Sequence, residues 1–323
     1  MRLYVISSPL QLINAIEARD YFSHSGQDAL IYIYRKQADL DQVRGLIDKN
    51  WCDVQYFRLN SFRRLFYPLI LRRILGKRSI ERVYLGYPYN IRAHIANTCN
   101  VDTWLLDDGT FTLRLNKELG EVQSPLWKAP SLSDRLFGRR VDLSYLKKVS
   151  FFTNYDIHPP QGQSVIQNNF ASIKSRISVQ NTGEHILFIG SPIEGLMLPS
   201  KEQFLLLIKK IQAFYGSRKI VYALHRLEDL GVRKDQLESL GITVVLFDTP
   251  LEVALYQEGP APFEVASFVS SALGNLHQIY GISARSFLLP ESDIMEEHKE
   301  AISKLYKDFE KRQIGRASCR ERV

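Results

Sequence analysis

The chain predicts two consecutive α/β domains, each a parallel sheet covered by helices on both faces. Short apolar runs alternate with segments of helical period along most of the 323 residues. Alternation of that kind builds parallel sheets. The length suits two domains of about 100–200 residues each. A polar stretch rich in Asn, Gln and Ser, 161–182, interrupts the pattern at mid-chain, as inter-domain segments do. The domains are expected at 1–182 and 183–313.

Leu3 to Ile6 reads as the first strand. Ser8 is a good helix N-cap and Pro9 a good first helical residue, and apolar residues at helical spacing follow to about Phe22. Ala29 to Tyr34 is a second strand, Asp39 to Lys49 a helix and Asp53 to Arg58 a third strand. Glu81 to Gly86 is a fourth, Tyr87 to Asn97 a loop and helix, and Asp102 to Leu106 a fifth strand. From Gly109 to about Ser150 the pattern loosens, with Pro125, Trp127 and Pro130, into a long irregular acceptor-side or interface loop. Val149 to Thr153 closes the first half. Strands are then expected at 186–189, 219–224, 243–247 and 264–269. Helices are expected at 204–215, around Leu237, from 249 and over 272–280.

A hydrophobic fraction of 45% and a charged fraction of 24% are ordinary for a globular protein. The last ten residues, 314–323, read as a non-native tail from adapter read-through, which implies that the natural C-terminus is missing. Without its three Arg and one Glu, the formal charge of +7 becomes +5. Cys52 and Cys99 have no disulfide or metal spacing, which suits a reducing cytoplasm. No run approaches the roughly 20 apolar residues that cross a bilayer. A cytoplasmic protein is expected, with peripheral attachment to the inner membrane through 58–82. There Arg58, Arg63, Arg64, Arg72, Arg73, Lys77, Arg78 and Arg82 surround 65–71, an apolar and aromatic run. Such a segment suits an anionic lipid surface, and a core helix with a solvated basic face is the competing reading. Nucleic acid is not expected, because the bases flank aliphatic side chains rather than stacking aromatics.

The chemistry gathers at strand ends. Trp104 to Leu106 runs into Asp107, Asp108 and Gly109, an apolar strand closed by two carboxylates and a turn. Ligands of open α/β sheets bind beyond the carboxyl ends of the strands. Neighbouring carboxylates repel, which tunes one of them for proton transfer, although Asp-Asp-Gly is also an ordinary turn. In the second half, Gly190-Ser191-Pro192, His225 followed by Arg226, and Ser270-Ser271 occupy corresponding places.

The order of these motifs resembles the bacterial sialyltransferases of glycosyltransferase family 52, which act on lipooligosaccharide and related surface glycans. Ser8-Pro9-Leu10-Gln11 and Ser270-Ser271-Ala272-Leu273 share in the likeness. One departure is that His225 is followed by Arg226 where the family has Pro; His158-Pro159 lies in the wrong place in the order. Arg226 suits phosphate in its stead. The resemblance implies a GT-B-like fold of two Rossmann-like domains with a nucleotide cleft between them. It also implies inverting, metal-independent transfer of sialic acid from CMP-sialic acid to a lipooligosaccharide, O-antigen or capsule acceptor sugar. No bound cofactor and no metal site are expected. Asp108 is then the base, with Asp107 structural or acceptor-binding. Gly190, Ser191, His225, Arg226, Ser270 and Ser271 face the nucleotide phosphate, and Glu252 holds the ribose, with Glu264 its rival. The expected partners are a nucleotide-sugar donor and an oligosaccharide or glycolipid acceptor, and a homodimer is left open. Two alternatives stand beside this reading: a GT-B transferase using another nucleotide sugar, and a non-catalytic glycan- or nucleotide-binding relative.

Overall fold

The structure, a computed structural model, describes residues 1–22, 27–76, 78–121, 124–127, 129–160, 162–177, 183–191, 193, 201–225, 228–257 and 261–318. It divides into two compact units, Met1–Ile173 and Lys174–Val323.

Unit 1 holds a seven-stranded sheet in the order β3-β2-β1-β4-β5-β6-β7. Its strands are β1 (Arg2–Ile6), β2 (Asp28–Tyr34), β3 (Asp53–Arg58), β4 (Arg82–Leu85), β5 (Asp102–Leu106), β6 (Ser150–Thr153) and β7 (Val165–Gln167). Every pairing is parallel. Both faces are buried, as strand alternation dictates for a sheet with helices on each side. Tyr4, Tyr32, Tyr84, Trp104 and Phe152 fill one core, and Leu3, Val5, Ile31, Val83, Leu105 and Phe151 belong to the other. Within the aromatic layer, the Tyr4 and Tyr84 rings stack at 4.4 Å.

Unit 2 repeats the plan with six parallel strands in the order β10-β9-β8-β11-β12-β13. These are β8 (Ile186–Ile189), β9 (Ile220–Ala223), β10 (Thr243–Val245), β11 (Glu264–Ser267), β12 (Ser283–Leu288) and β13 (Gly315–Ser318). Phe188, Tyr222 and Phe287 pack on one face; Leu187, Ala223 and Val265 pack on the other. In each sheet the direction of winding reverses beside the first strand, between β1 and β4 and between β8 and β11. Such switch points open a crevice at the carboxyl edge.

Helix α1 (Pro9–Tyr21) starts as its caps dictate: Ser8 Oγ accepts the Gln11 N–H at 3.2 Å, and Pro9 opens the helix. The 109–150 stretch departs from the expected irregular loop. It contains helix α5 (Phe111–Gly120) and the short helix α6 (Leu132–Leu136). Leu115 and Leu119 bury one face of α5 at a four-residue interval, a signal obscured by the proline-bearing segment behind it. The 161–182 stretch is likewise more than a linker, because β7 extends the first sheet and Phe170 and Ile173 are buried. The tail left out of the expected domains contributes β13, which pairs along β12, while Ile314 is buried.

Helix α3 (Ser61–Leu75) carries the basic segment. Tyr67, Leu71 and Leu75 face the core at four-residue spacing, while Arg64, Arg72, Arg73, Phe62 and Leu69 are exposed. Arg139, just beyond α6, reaches the Arg64 carbonyl at 3.2 Å and stacks over Tyr67. Leu132 and Leu136 of α6 are 73% and 77% exposed. Among the described residues no helix is long and apolar enough to cross a membrane.

Candidate functional site

Strand β5 ends at Leu106, so Asp107 and Asp108 stand at the carboxyl edge of the unit 1 sheet. Their environments differ. Asp107 is buried, and its two oxygens accept from the Thr153 hydroxyl at 2.5 Å and the Asn154 N–H at 2.7 Å, both at the end of β6. Its carbonyl accepts from Asn14 Nδ2 of α1 at 3.2 Å, and Asn14 Oδ1 accepts from Asn168 Nδ2 beyond β7 at 2.9 Å. Asp107 therefore ties four segments together.

Asp108 is only half-buried, and its N–H reaches the Thr112 hydroxyl at 3.4 Å. Gly109 follows with φ of +62°, a left-handed conformation costly for any side chain, and so lets α5 begin two residues later. Tyr87, beyond β4, packs its ring 4.9 Å from Phe111. Burial, and then the Asp108 charge, raise the Tyr87 pKa. On the far side of Tyr87 lies Arg92, from helix α4 (Ile91–Cys99), its guanidinium 5.7 Å from the ring centre. Burial lowers Arg92 to about 10, against the opposing pull of Asp108.

In unit 2, Gly190 follows β8 and its N–H donates to the Ala223 carbonyl at 2.8 Å. A Cβ there would meet the Glu228 carboxylate, with the Ala223 carbonyl and the His225 nitrogen each 2.9 Å away. Glycine is required by this close approach of two strand ends. His225 lies just past β9, and its N–H donates to Glu228 Oε2 at 2.8 Å. The other Glu228 oxygen accepts from Tyr222 at 2.8 Å and Arg233 Nε at 2.9 Å. Both members of the Glu228–Arg233 pair are almost wholly buried. Sequence reasoning missed this ion pair under the His225 loop; the only signal was a Glu three residues after the His.

Ser191 turns inward, its hydroxyl 3.2 Å from that of Ser267 at the end of β11. Ser270 Oγ accepts the Ala272 N–H at 3.3 Å, and Ser271 precedes helix α11 (Ala272–Tyr280) without a side-chain capping bond. The start of α11 thus lies at the carboxyl end of β11, beside the switch point. Glu252, in the first turn of α10 (Leu251–Gln257), is buried, and Asn275 of α11 donates to its Oε1 at 2.8 Å. Burial raises its pKa. Glu264 opens β11 at the opposite, amino edge and pairs with Arg285 at 2.7 and 3.0 Å. That position removes it as the rival to Glu252. Arg226 and Pro192 lie outside the described residues. Among the described residues no cluster of three His, Cys, Asp or Glu side chains is placed to hold a metal.

The structure thus brings Asp107 and Asp108 to the edge of one sheet, and Gly190, His225, Glu252, Ser270 and Ser271 to the edge of the other. The unit 1 edge carries carboxylates, a residue type able to transfer protons. The unit 2 edge carries hydroxyls, an imidazole and the N-terminus of a helix, a set suited to phosphate oxygens.

No family model and no curated protein matches the sequence. Solved structures do share the fold. The Arabidopsis thaliana UGT89C1 complex with UDP-L-rhamnose is 10% identical, with a TM-score of 0.56 over 98% of this chain and 84% of its own. UDP-GlcNAc 2-epimerase from Neisseria meningitidis bound to UDP-GlcNAc is 15% identical, with a TM-score of 0.52 over 94% and 85%. A Polygonum tinctorium UDP-glucosyltransferase, in a complex with 3,4-dichloroaniline, is 11% identical, with a TM-score of 0.52 over 98% and 84%. The fold is GT-B-like, with two Rossmann-like units.

Proposed function

We propose that the protein is an inverting glycosyltransferase that moves sialic acid from CMP-sialic acid to a sugar of a surface glycan. The observation that carries this reading is the contrast within the carboxylate pair. Asp107 is saturated by Thr153 and Asn154, and its neighbour Asp108 is half-buried at the carboxyl edge of the sheet. In the proposed step Asp108 takes the proton of the acceptor hydroxyl. The acceptor oxygen then bonds to the anomeric carbon from the face opposite the leaving group, and the carbon–oxygen bond to the phosphate breaks to release CMP. His225, the Ser270 and Ser271 hydroxyls and the α11 N–H groups meet the charge that grows on that phosphate. Glu252, with one oxygen set by Asn275, takes the ribose.

The solved structures of this fold named above carry UDP or UDP-sugars in two cases, which supports a nucleotide-sugar donor and leaves the base to the family-52 resemblance. A UDP-sugar transferase is accordingly the second reading. The test is a donor screen in EDTA, with CMP-sialic acid and several UDP-sugars against a panel of neutral and acidic glycan acceptors, products read by mass spectrometry. Sialylated product in chelator is expected. Transfer from a UDP-sugar alone, or activity that returns only with magnesium or manganese, overturns the reading.

The exposed outer faces of α3 and α6 belong to the same proposal. Phe62, Leu69, Leu132 and Leu136 stand among Arg64, Arg72, Arg73 and Arg135. Apolar side chains ringed by arginines suit an anionic bilayer surface, which is where a lipid-linked acceptor is held.

A further inference from the structure

Arg92 is only 8% exposed, and its buried Nε–H has no hydrogen-bond partner among the described residues. A buried cation left in that state costs stability, since guanidinium groups inside proteins are ordinarily paired and hydrogen-bonded. The surroundings do not neutralise it. Its contact is the face of Tyr87, and Tyr145, which also neighbours it, donates its hydroxyl to the Pro88 carbonyl at 2.6 Å. Asp108 supplies a negative charge, but Arg35, immediately past β2, adds a second positive one that acts on Arg92 in the same direction as burial. Arg92, Arg35 and Asp108 therefore gather at the carboxyl ends of β2, β4 and β5.

We infer that Arg92 recognises an oxyanion, and that the acceptor sugar carries a carboxylate or a phosphate close to its reacting hydroxyl. Calling this ligand an acceptor rests on the transferase reading above; the anion site itself does not. Arg92 and Asp108 lie in the same unit. An acidic group bound at the guanidinium would pair the buried cation, balance its charge and fix the neighbouring hydroxyl for Asp108. Guanidinium suits either anion, because its planar donors match carboxylate and phosphate oxygens.

The test is saturation-transfer NMR on the full chain with galactose, glucuronic acid and galactose 6-phosphate. The unaltered protein is expected to bind at least one acidic sugar roughly tenfold or more tightly than galactose, as charge-assisted hydrogen bonds allow. Whichever acid wins identifies the anion. Arg92→Gln should erase the preference with an unchanged thermal transition, and Arg92→Lys should retain part of it. Equal binding of all three sugars by the unaltered protein overturns the inference, as does a preference that survives in Arg92→Gln. Should Arg92→Gln fail to fold, the comparison within the unaltered protein decides. A preference for acidic sugars without transfer from any nucleotide sugar would instead sink the transferase reading and leave the anion site standing.

Discussion

The two units wind their sheets in the same order, yet the buried arginines at their carboxyl edges are handled differently. At the edge of unit 2 the buried arginine, Arg233, is closed on a carboxylate. Glu228 and Arg233 pair beneath the His225 loop, and the groups above them are an imidazole, hydroxyls and helix N–H donors. At the edge of unit 1 the buried Arg92 Nε–H has no hydrogen-bond partner among the described residues, Arg35 repels it, and Asp108 is half-buried. The lesson is that one scaffold can carry a compensated arginine at one edge and an uncompensated one at the other.

Breaking the compensation in unit 2 should have the largest effect. Glu228→Ala leaves Arg233 buried and alone, and removing one member of a buried pair typically costs about 3–5 kcal/mol. Denaturant unfolding should show that loss together with failure to bind CMP. The conservative Glu228→Gln should fall between, because it still accepts the His225 N–H. Gly190→Ala tests the same contact from the other side. The added Cβ must displace Glu228 or the His225 backbone, for about 1–3 kcal/mol. Full stability in Gly190→Ala would mean that the two strand ends do not approach as described.

In unit 1 the carboxylates should separate by role. Asp107→Ala strips partners from Thr153 and Asn154 and should cost about 1–3 kcal/mol of stability. Asp108→Ala should cost far less, although both residues sit in the same turn. Acid should distinguish the units as well. His94 is buried, and burial and then Arg140 lower its pKa to about 4 from the ordinary 6.5. The unfolded chain therefore binds that proton first. Stability is complete above about pH 6.5 and falls as the pH drops toward 4, by at most about 3 kcal/mol. His94→Gln should flatten that slope in calorimetric scans.

The smallest effect concerns the outer face of α3 and α6. Arg72→Glu and Arg73→Glu should reduce sedimentation with anionic vesicles by about 1 kcal/mol of attraction per residue. Equal binding to neutral vesicles would leave α3 as a core helix with a solvated face.

Much of this scaffold was legible because periodicity reports burial. β3, β5 and α11 fall where the alternation placed them, and Ser8 caps α1 as its residue type requires. The elements that escaped did so for physical reasons. Helix α5 begins directly after the Asp108 turn, where Thr110 at the N-cap makes no side-chain capping bond, and β7 is a three-residue edge strand in a polar stretch. Long-range partners left no local trace. Nothing near Asp107 announces Thr153, and nothing near Arg92 announces Asp108, because parallel pairing joins residues many positions apart. Residue types at strand ends could be read; which of their charges are compensated could not.

The division of labour between the units is tested most directly by comparing Asp108→Asn with His225→Ala, measuring turnover and, by calorimetry, CMP affinity. Asp108→Asn is expected to lower kcat by about 10²–10⁴-fold with CMP affinity unchanged, since the base acts on the acceptor. His225→Ala is expected to weaken CMP binding and turnover together. An Asp108→Asn variant that transfers within a few-fold of the unaltered protein, or that loses CMP binding, would contradict the account.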